Sequence, residues 1–202
     1  MILHDLTAGM HPRRVRIFLA EKGVSIERRE VDAASGVNSQ PEFLRLNPLG
    51  KLPVLELDDG SAIAESLAIC RYLETMSPDP PLMGRTPREA AHIEMWTQRM
   101  DNELSRPIAE TFRHGSDFYR GRIEQVPEVA TWSSGRAVQT MRWLDGELAG
   151  RRYIAGDEYS MADIVAQCAC VLGKFTGLRI PPELTHLSRW FSEVTARPSA
   201  RA

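Results

Sequence analysis

The chain has 202 residues, of which 43% are hydrophobic and 26% are charged, and its formal net charge is −2 at pH 7. These values are ordinary for a globular protein, and the near-neutral charge gives no reason to expect nucleic acid or an anionic membrane surface as a partner. No apolar run approaches the roughly 20 residues that a membrane-spanning helix needs. Three cysteines, an odd number, do not suit a disulfide framework. Because Met1 to Leu6 leads directly into a predicted strand and not into a signal peptide, we expect a cytoplasmic protein.

The first 76 residues alternate between short apolar strands and helical stretches. We predict strands over residues 2–6, 25–31, 54–57 and 62–64, helices over 13–22 and 65–76, and a short helix or turn over 41–46. An Asp58-Asp59-Gly60 turn joins the last two strands as a hairpin, and Gly23 suits the end of the first helix. This order of elements predicts a small mixed sheet with helices packed on its faces.

A proline-rich stretch, Ser77 to Gly84, separates this part from the rest of the chain and is predicted to be a linker. Beyond it the apolar spacing is helical, with predicted helices over 86–112, 127–148, 161–172 and 187–196. Capping boxes are predicted at Thr86–Glu89 and Ser160–Asp163, and Pro107 is expected to kink or shift the first long helix. We therefore predict three parts: a domain over 1–76, a linker over 77–85 and an all-helical domain over 86–202.

Two neighbouring segments, Leu52-Pro53 and Glu65-Ser66, carry the clearest functional signal. Pro53 cannot donate to a ladder and stands at the start of an apolar strand. If the Leu52–Pro53 bond is cis, Leu52 turns its own N–H and C=O outward as a short open edge for an extended peptide. Glu65-Ser66 opens a helix, where N–H groups bind a carboxylate and an acidic side chain can hold an ammonium. Together these features predict a pocket for a small zwitterionic peptide.

This pattern resembles the glutathione-binding half of the glutathione transferases, in which a thioredoxin-like domain carries a cis-proline and a Glu/Gln-Ser pair. The likeness covers nearly the whole chain, because residues 13–23 are similar to the family's first helix and residues 155–164 to its late capping motif. It implies a thioredoxin-like domain with a mixed four-stranded sheet, followed by an all-helical domain. It also implies a cytosolic enzyme, usually a two-fold homodimer, that uses glutathione as a substrate.

The resemblance assigns the glutathione site residue by residue. The backbone of Leu52, next to Pro53, is expected to pair with the cysteinyl unit. Glu65 is expected to bind the γ-glutamyl ammonium, and Ser66 with its own N–H the adjacent carboxylate. Lys51 stands where relatives place a residue that contacts the glycyl carboxylate. Taken without the neighbouring proline, Glu65 and Ser66 read as an ordinary helix cap, and Lys51 reads as a solvated turn lysine.

The group that stabilises the thiolate is not evident from the sequence. A free thiol with a pKa near 8.5 is only roughly 3% ionised at pH 7, so many relatives supply a Tyr, Ser or Cys donor near the first helix. None of these three residue types stands there, and the one hydroxyl before Arg14 belongs to Thr7. Three alternatives remain open: the hydroxyl of Thr7, the ring N–H of His11, and the backbone N–H groups of residues 9–11 acting as an anion nest.

Other charged residues have ambiguous roles. This holds for Arg13, Arg14 and Arg16. Arg13 and Arg16, one turn apart, form a charged helix face, or Arg13 instead contacts the sulfur or an anionic cosubstrate. Asp101 is a candidate for reaching glutathione across a dimer interface, as an acid does in some relatives. The cysteines are expected to be buried and inert, and the histidines form no cluster with metal-ligand spacing, so no metal is predicted.

We predict a glutathione S-transferase that directs the glutathione thiolate at an electrophilic small molecule held against the helical domain, a reaction typical of detoxification. Two alternatives stay open. One is a glutathione-disulfide oxidoreductase that exchanges thiols between two bound glutathiones, and the other is a non-catalytic glutathione-fold carrier or interaction protein. The missing Tyr, Ser or Cys favours the last of these, whereas the retained Leu52-Pro53 and Glu65-Ser66 pairs argue against it. The expected partners are glutathione, an electrophilic or disulfide substrate, and a second copy of the chain.

Overall fold

A four-stranded sheet forms the centre of the first of two units in the structure, a computed structural model that describes residues 1–202. Its strands, in the spatial order β2-β1-β3-β4, are β1 (Ile2–Asp5), β2 (Glu27–Glu30), β3 (Val54–Glu56) and β4 (Ala62–Ala64). β1 is parallel to β2 and antiparallel to β3, and β3 is antiparallel to β4. The mixed sheet and the hairpin that the sequence predicts are confirmed.

Three helices accompany this sheet: α1 (Met10–Lys22), α2 (Pro41–Leu46) and α3 (Ser66–Met76). α1 and α3 pack against each other, whereas α2 contributes Phe43 to a cluster with Val31 and Val54. α1 begins three residues before the predicted start at Arg13, because the fixed φ of Pro12 suits a first helical turn. The helix ends at Gly23, as predicted, with φ 64° in the left-handed region.

β2 is shorter than the predicted strand over residues 25–31, and all four of its side chains are exposed. The strand lies at the edge of the sheet and pairs only with β1. Charged residues are frequent in such edge strands, because neither face is covered and the outer edge is open to solvent. The alternating pattern that predicted a longer strand ends at Val31, which is buried just beyond β2.

The second unit is helical throughout, as predicted. Its helices are α4 (Pro87–Arg99), α5 (Arg106–Gly115), α6 (Pro127–Leu148), α7 (Met161–Phe175) and α8 (Thr185–Ala196). Both predicted capping boxes are present, at Thr86–Glu89 and at Ser160–Asp163. Eleven residues of α7 are buried, so this helix forms the centre of the helical unit. No helix of the chain is both long enough and apolar enough to cross a membrane.

The long helix predicted over residues 86–112 is divided in the structure. A π-helical segment, Met100–Ser105, separates α4 from α5. Pro107, near the start of α5, has no N–H to donate to the C=O of Glu103 four residues earlier. That carbonyl instead accepts a hydrogen bond from Thr140 Oγ1 on α6, at 2.8 Å. The expected effect of Pro107 is therefore confirmed, and the contact from α6 explains how the interruption is tolerated.

The division between the two units falls between Leu82 and Met83, inside the predicted linker. Residues 77–82 group with the first unit. Lys22 on α1 holds them there, because its buried ammonium pairs with Glu74 at 2.5 Å and donates to the C=O of Pro80 at 2.5 Å. The last two residues of the chain also group with the first unit.

Candidate functional site

Three segments that the sequence singled out lie at one end of the sheet. The β1–β3 register pairs His4 with Val54, and the β3–β4 register pairs Val54 with Ala64. Pro53 and Glu65, each one residue further on, are therefore neighbours at this end. The loop that follows β1 leaves from the same end and leads into α1. The Leu52–Pro53 bond and the N-termini of α1 and α3 are thus brought together by the strand registers.

The Leu52–Pro53 peptide bond is cis. The ladders on both sides of β3 begin at Val54, so Leu52 lies outside them. None of the backbone hydrogen bonds outside the helices and ladders uses the N–H or C=O of Leu52. Its backbone groups are consequently available to an extended peptide, which is the property that the sequence suggested for a cis bond at this position.

The turn that leads to Leu52 is held by two asparagine side chains. Asn47 is buried, and its Nδ2 donates to the C=O of Lys51 at 2.8 Å while its Oδ1 accepts from the N–H of Leu49 at 3.1 Å. Asn38 Nδ2 donates to the C=O of Gly50 at 2.7 Å. Gly50 has φ 61°, and a Cβ added there would lie 2.7 Å from the carbonyl oxygen of Asn38. A turn fixed in this way presents its edge without a further ordering cost when a ligand binds.

Glu65 has an unusual backbone conformation for its residue type. It is the one non-glycine residue of the chain with positive φ, at 67°, and it is the N-cap residue of α3. Its side chain does not cap the helix, and the residue is exposed. Because the carboxylate forms no ion pair or hydrogen bond within the chain, it is available to a ligand ammonium. Backbone strain of this kind is concentrated at functional sites.

Ser66 is the first residue of α3 and is 4% exposed. The first hydrogen bond of this helix runs from the N–H of Ile69 to the C=O of Glu65, at 3.0 Å. The N–H groups of residues 66–68 therefore have no partner within the helix and point out of its N-terminus. A carboxylate is stabilised at such a position by these donors and by the helix dipole.

Arg14 on α1 is a residue of the site that the sequence did not identify. Its side chain is 1% exposed, and its Nη1 lies 3.5 Å from Ser66 Oγ. Arg16 is also buried and pairs with Asp5 at 2.8 Å. The interpretation of Arg13 and Arg16 as a charged surface face is therefore wrong for Arg16. The burial of Arg14 could have been predicted from its position one turn before Phe18, on the apolar side of the helix.

The candidates for thiolate stabilisation lie in the loop before α1 and in its first turn. The hydroxyl of Thr7 donates to Glu30 Oε2 at 2.8 Å, so its proton is directed at that carboxylate. Gly9 is the N-cap residue of α1 and makes no side-chain cap. His11 is the second residue of the helix and is exposed. These positions keep His11 and the backbone of residues 9–11 at the helix N-terminus, where an anion is stabilised.

Lys51, Arg13 and Asp101 lie in three different settings. Lys51 is exposed on the turn before Leu52, and its ammonium forms no hydrogen bond or ion pair within the chain. Arg13 lies in the first turn of α1, directly after Pro12. Asp101 belongs to the second unit, in the π-helical segment. The first unit thus brings together Lys51, Leu52, Pro53, Glu65 and Ser66, whereas Asp101 belongs to the other unit.

The remaining titratable groups provide no further chemistry at this site. No group of three or more His, Cys, Asp or Glu side chains is arranged to hold a metal ion. All three cysteines are buried, as the sequence suggested, and none of them is in a disulfide. Burial in apolar surroundings raises the pKa of the Cys170 thiol to about 12, which keeps it protonated and unreactive at neutral pH.

Comparison with known proteins identifies the family. Residues 10–76 match the family model described as glutathione S-transferase, N-terminal domain, and residues 118–198 match the glutathione S-transferase, C-terminal domain. Glutathione S-transferase 2 of Saccharomyces cerevisiae is 37% identical over 205 residues, an alignment that covers 100% of this chain and 88% of that protein. The chain belongs to the glutathione S-transferase family.

Solved structures agree with this membership. The crystal structure of Gtt2 from Saccharomyces cerevisiae has a TM-score of 0.94 at 36% identity and covers 100% of this chain and 99% of that one. A glutathione S-transferase domain-containing protein from Marinobacter aquaeolei VT8 has a TM-score of 0.92 at 36% identity, with 98% and 99% covered. The thioredoxin-like first domain, the helical second domain and the glutathione S-transferase enzyme class that the sequence predicts are thus confirmed.

Part of the similarity extends to longer proteins. Elongation factor 1-gamma of Prunus avium is 32% identical over 201 residues, which cover 98% of this chain and 46% of that protein. Two elongation factor 1-gamma proteins of Oryza sativa match at 30% and 29% identity, with 47% of each covered. The chain therefore spans about half the length of these relatives, whereas it spans most of the yeast glutathione S-transferase.

Proposed function

We propose that this glutathione S-transferase binds glutathione at the sheet end formed by Leu52, Glu65 and Ser66, stabilises its thiolate, and directs it at an electrophilic small molecule. The observation that carries the proposal is the open backbone of Leu52 beside a strained Glu65 whose carboxylate is not used within the chain. A folded protein has no structural need for either feature, whereas a peptide with a free ammonium uses both.

Each part of glutathione has a chemically suitable partner in this proposal. The cysteinyl unit pairs with the N–H and C=O of Leu52, which adds it to the sheet as an extended segment. The γ-glutamyl ammonium binds the carboxylate of Glu65, and its carboxylate binds Ser66 and the N-terminus of α3. The buried guanidinium of Arg14, beside Ser66, adds positive charge behind this anion site. Lys51 reaches the glycyl carboxylate.

Thiolate stabilisation is assigned to the N-terminus of α1. Partial positive charge at a helix N-terminus stabilises an anion by about 0.3–1 kcal/mol when exposed, and by up to about 2 kcal/mol when partly buried. His11 adds a ring N–H at the same place, and Arg13 adds charge one turn into the helix. Thr7 is the weaker of the catalytic candidates, since its hydroxyl already donates to Glu30. In this scheme the electrophile is held against the helical domain.

Assembly and location follow the family resemblance. We propose that the protein is a cytoplasmic homodimer that acts in detoxification. Asp101 is a candidate for contacting glutathione bound to the partner protomer. Placing thiolate and electrophile together in one site lowers the entropic part of the activation barrier.

The first experiment is a titration of the ultraviolet thiolate band of glutathione bound to the protein. We expect a midpoint roughly 1–2 pH units below the free value near 8.5, because the helix N-terminus and a second donor favour the anion. Glu65→Gln and Ser66→Ala should each raise the KM for glutathione about tenfold or more, since the first removes the negative charge that faces the ammonium and the second removes a hydroxyl donor to the carboxylate. Binding with an unshifted midpoint, or an unchanged KM in both variants, contradicts the proposal.

A second candidate role is that of a glutathione-fold interaction module. The similarity to elongation factor 1-gamma over about half of that protein favours it. Under this alternative glutathione binds weakly or with an unshifted thiol, and Glu65→Gln changes no activity. The same titration therefore separates the two roles without knowledge of the electrophile.

A further inference from the structure

The loop between β1 and α1, residues 6–9, is held by hydrogen bonds to side chains of β2 and α1. Thr7 donates two hydrogen bonds to the carboxylate of Glu30 on β2. The N–H of Thr7 donates to Oε1 at 2.8 Å, and the hydroxyl of Thr7 donates to Oε2 at 2.8 Å. Arg16 of α1 donates to the C=O of Thr7 at 2.8 Å. Within the loop, the N–H of Gly9 donates to the C=O of Leu6 at 2.7 Å.

A buried carboxylate at the end of β1, paired with two arginines, lies next to these contacts. Asp5, at the end of β1, is 0% exposed, and its carboxylate accepts from Arg16 at 2.8 Å and from Arg28 at 2.9 and 2.5 Å. The same carboxylate accepts the N–H of Leu6 at 2.9 Å. A buried carboxylate satisfied by two guanidinium groups makes a rigid base for the start of the loop. Two residues of this region hold Thr7: the carboxylate of Glu30 accepts from its N–H and hydroxyl, and Arg16 donates to its C=O.

Glu30 is present as a carboxylate at neutral pH. The N–H of Thr7 holds its pKa below the ordinary value, aided by the hydroxyl of Thr7 and by the charges of Arg28 and Arg16. Both carboxylate oxygens are therefore acceptors, and both are directed at the same residue. Two bonds to one residue fix its orientation as well as its position.

We propose that Glu30 is a positioning residue for the thiolate site: by holding Thr7 it fixes the short loop that places Gly9 and the first turn of α1 against the glutathione sulfur. The proposal rests on the proposed function and deepens it. Only one residue, Ala8, separates Thr7 from the N-cap residue Gly9, so a displaced Thr7 displaces the helix N-terminus. Catalytic groups lose effect steeply when they are misplaced by as little as about 1 Å.

The test compares Glu30→Ala with the matched control Glu27→Ala. Both residues are exposed glutamates of β2, but Glu27 contacts only the side chain of Arg29 on its own strand, at 3.4 Å. We expect Glu30→Ala to raise the thiol midpoint of bound glutathione by about 0.5–1 pH unit, which lowers the thiolate fraction at pH 7 by roughly 1.5- to 8-fold for a native midpoint of about 6.5–7.5. Measured near pH 5, where the thiol is protonated in both proteins, the dissociation constant for glutathione should change less than about twofold, because Leu52, Glu65 and Ser66 are untouched. Glu30→Gln keeps one acceptor and should give an intermediate midpoint.

A double-mutant cycle with Thr7→Val separates two roles of the Thr7 hydroxyl. If the hydroxyl acts through Glu30, Thr7→Val shifts the midpoint in the native background and has little further effect in Glu30→Ala. If the hydroxyl contacts the sulfur directly, the shift from Thr7→Val persists in both backgrounds, and the assignment of Thr7 to Glu30 is overturned.

Amide hydrogen exchange provides a readout that is independent of glutathione. Glu30→Ala should accelerate exchange at the N–H of Thr7, whereas Glu27→Ala should leave it unchanged. Faster exchange with an unshifted thiol midpoint overturns the positioning role while leaving the proposed function intact. A native protein that binds glutathione without any shifted midpoint overturns the proposed function itself, and the positioning role with it.

Discussion

At the scale of single residues, Glu65 combines a backbone conformation that favours glycine with a carboxylate that glycine lacks. Its φ of 67° belongs to a backbone region that glycine occupies easily and that costs other residues about 1–3 kcal/mol. Glycine at this position would relieve that strain, but it would also remove the carboxylate. The presence of a glutamate therefore indicates that the side chain is needed where the backbone would favour glycine.

Replacing Glu65 with glycine is therefore predicted to increase the stability of the fold and to weaken the binding of glutathione. Glu65→Gly should increase the free energy of unfolding by about 1 kcal/mol, because relief of about 1–3 kcal/mol of strain exceeds the roughly 0.5–1 kcal/mol entropic cost of glycine. The same variant should weaken glutathione binding about as much as Glu65→Gln, which keeps the strained backbone. Urea denaturation and a glutathione titration on both variants provide the measurements. A Gly variant that is less stable than the Gln variant would contradict the strain argument.

Asp163 shows how burial and hydrogen bonding compete at one carboxyl group. It is fully buried at the start of α7, and burial raises its pKa from 3.8 to about 6. Hydrogen bonds from Ile154, Trp190 and Ser160 oppose this rise without cancelling it. Between about pH 4 and pH 6 the folded protein therefore binds more protons at this group than the unfolded chain does.

The resulting pH dependence can be measured against Asp163→Asn, which has no ionisable group at this position. Since the folded pKa is raised, the contribution of Asp163 to stability decreases as the pH rises from about 4 through about 6 and is constant above that window. The difference in unfolding free energy between native protein and variant should therefore be about 1 kcal/mol larger at pH 5 than at pH 7. A difference that stays constant or shrinks towards pH 5 would show that the carboxylate form is the favoured one.

At the scale of elements, helix ends are specified mainly by short local patterns. α4 begins with a complete capping box, in which Thr86 accepts from the N–H of Glu89 at 3.2 Å and the Glu89 carboxylate accepts from the N–H of Thr86 at 3.3 Å. These groups are solvent-exposed, so the cap is a contribution to stability that can be removed without disturbing the core. Such caps set where a helix starts and leave its packing to the apolar face.

Thr86→Ala should lower the free energy of unfolding by about 1 kcal/mol, the usual effect of removing an N-cap side chain. The matched control is Thr131→Ala, because Thr131 is equally exposed but lies inside α6 and donates only to the C=O of Pro127. That change should stay within about 0.5 kcal/mol of the native value. Equal effects of the two substitutions in urea denaturation would argue against a specific capping contribution.

The elements that could be predicted from the sequence are those with local signals. The pairs Leu52-Pro53 and Glu65-Ser66 stood out because proline lacks an N–H and because a helix start needs few residues to specify it. The contacts of Arg14 with Ser66 and of Glu30 with Thr7 could not be predicted in this way, since their partners lie 52 and 23 residues away in sequence. The π-helical segment likewise depends on Thr140, which lies 37 residues beyond the carbonyl it satisfies.

At the scale of the whole molecule, strand order decides where the chemistry is located. Because β1 is antiparallel to β3 and β3 is antiparallel to β4, the end of β1, the start of β3 and the end of β4 coincide. The two helix N-termini and the cis bond therefore converge at one end of the sheet, where Arg14 of α1 also contacts Ser66 of α3. The glutathione site that we propose lies at this end of the first unit, within the residues that match the glutathione S-transferase N-terminal domain.

The proposed homodimer predicts a solution mass twice that of the 202-residue chain. Analytical ultracentrifugation over a range of concentrations checks this directly. If the dimer forms, Asp101→Asn should raise the KM for glutathione in the dimer, while Glu128→Gln, at an exposed position in the first turn of α6, should not. A monomer at all concentrations would remove the basis for a role of Asp101 across the interface.

The charged edge strand β2 has a consequence for the behaviour of the protein in concentrated solution. Its outer edge carries unpaired backbone groups that a strand of another molecule can join, which is a common beginning of amyloid-like assembly. Glu27, Arg28, Arg29 and Glu30 line this strand and all are exposed, so an approaching chain would have to desolvate four charges in succession. The strand whose last glutamate holds the loop before α1 thus also protects the sheet against growth into fibrils.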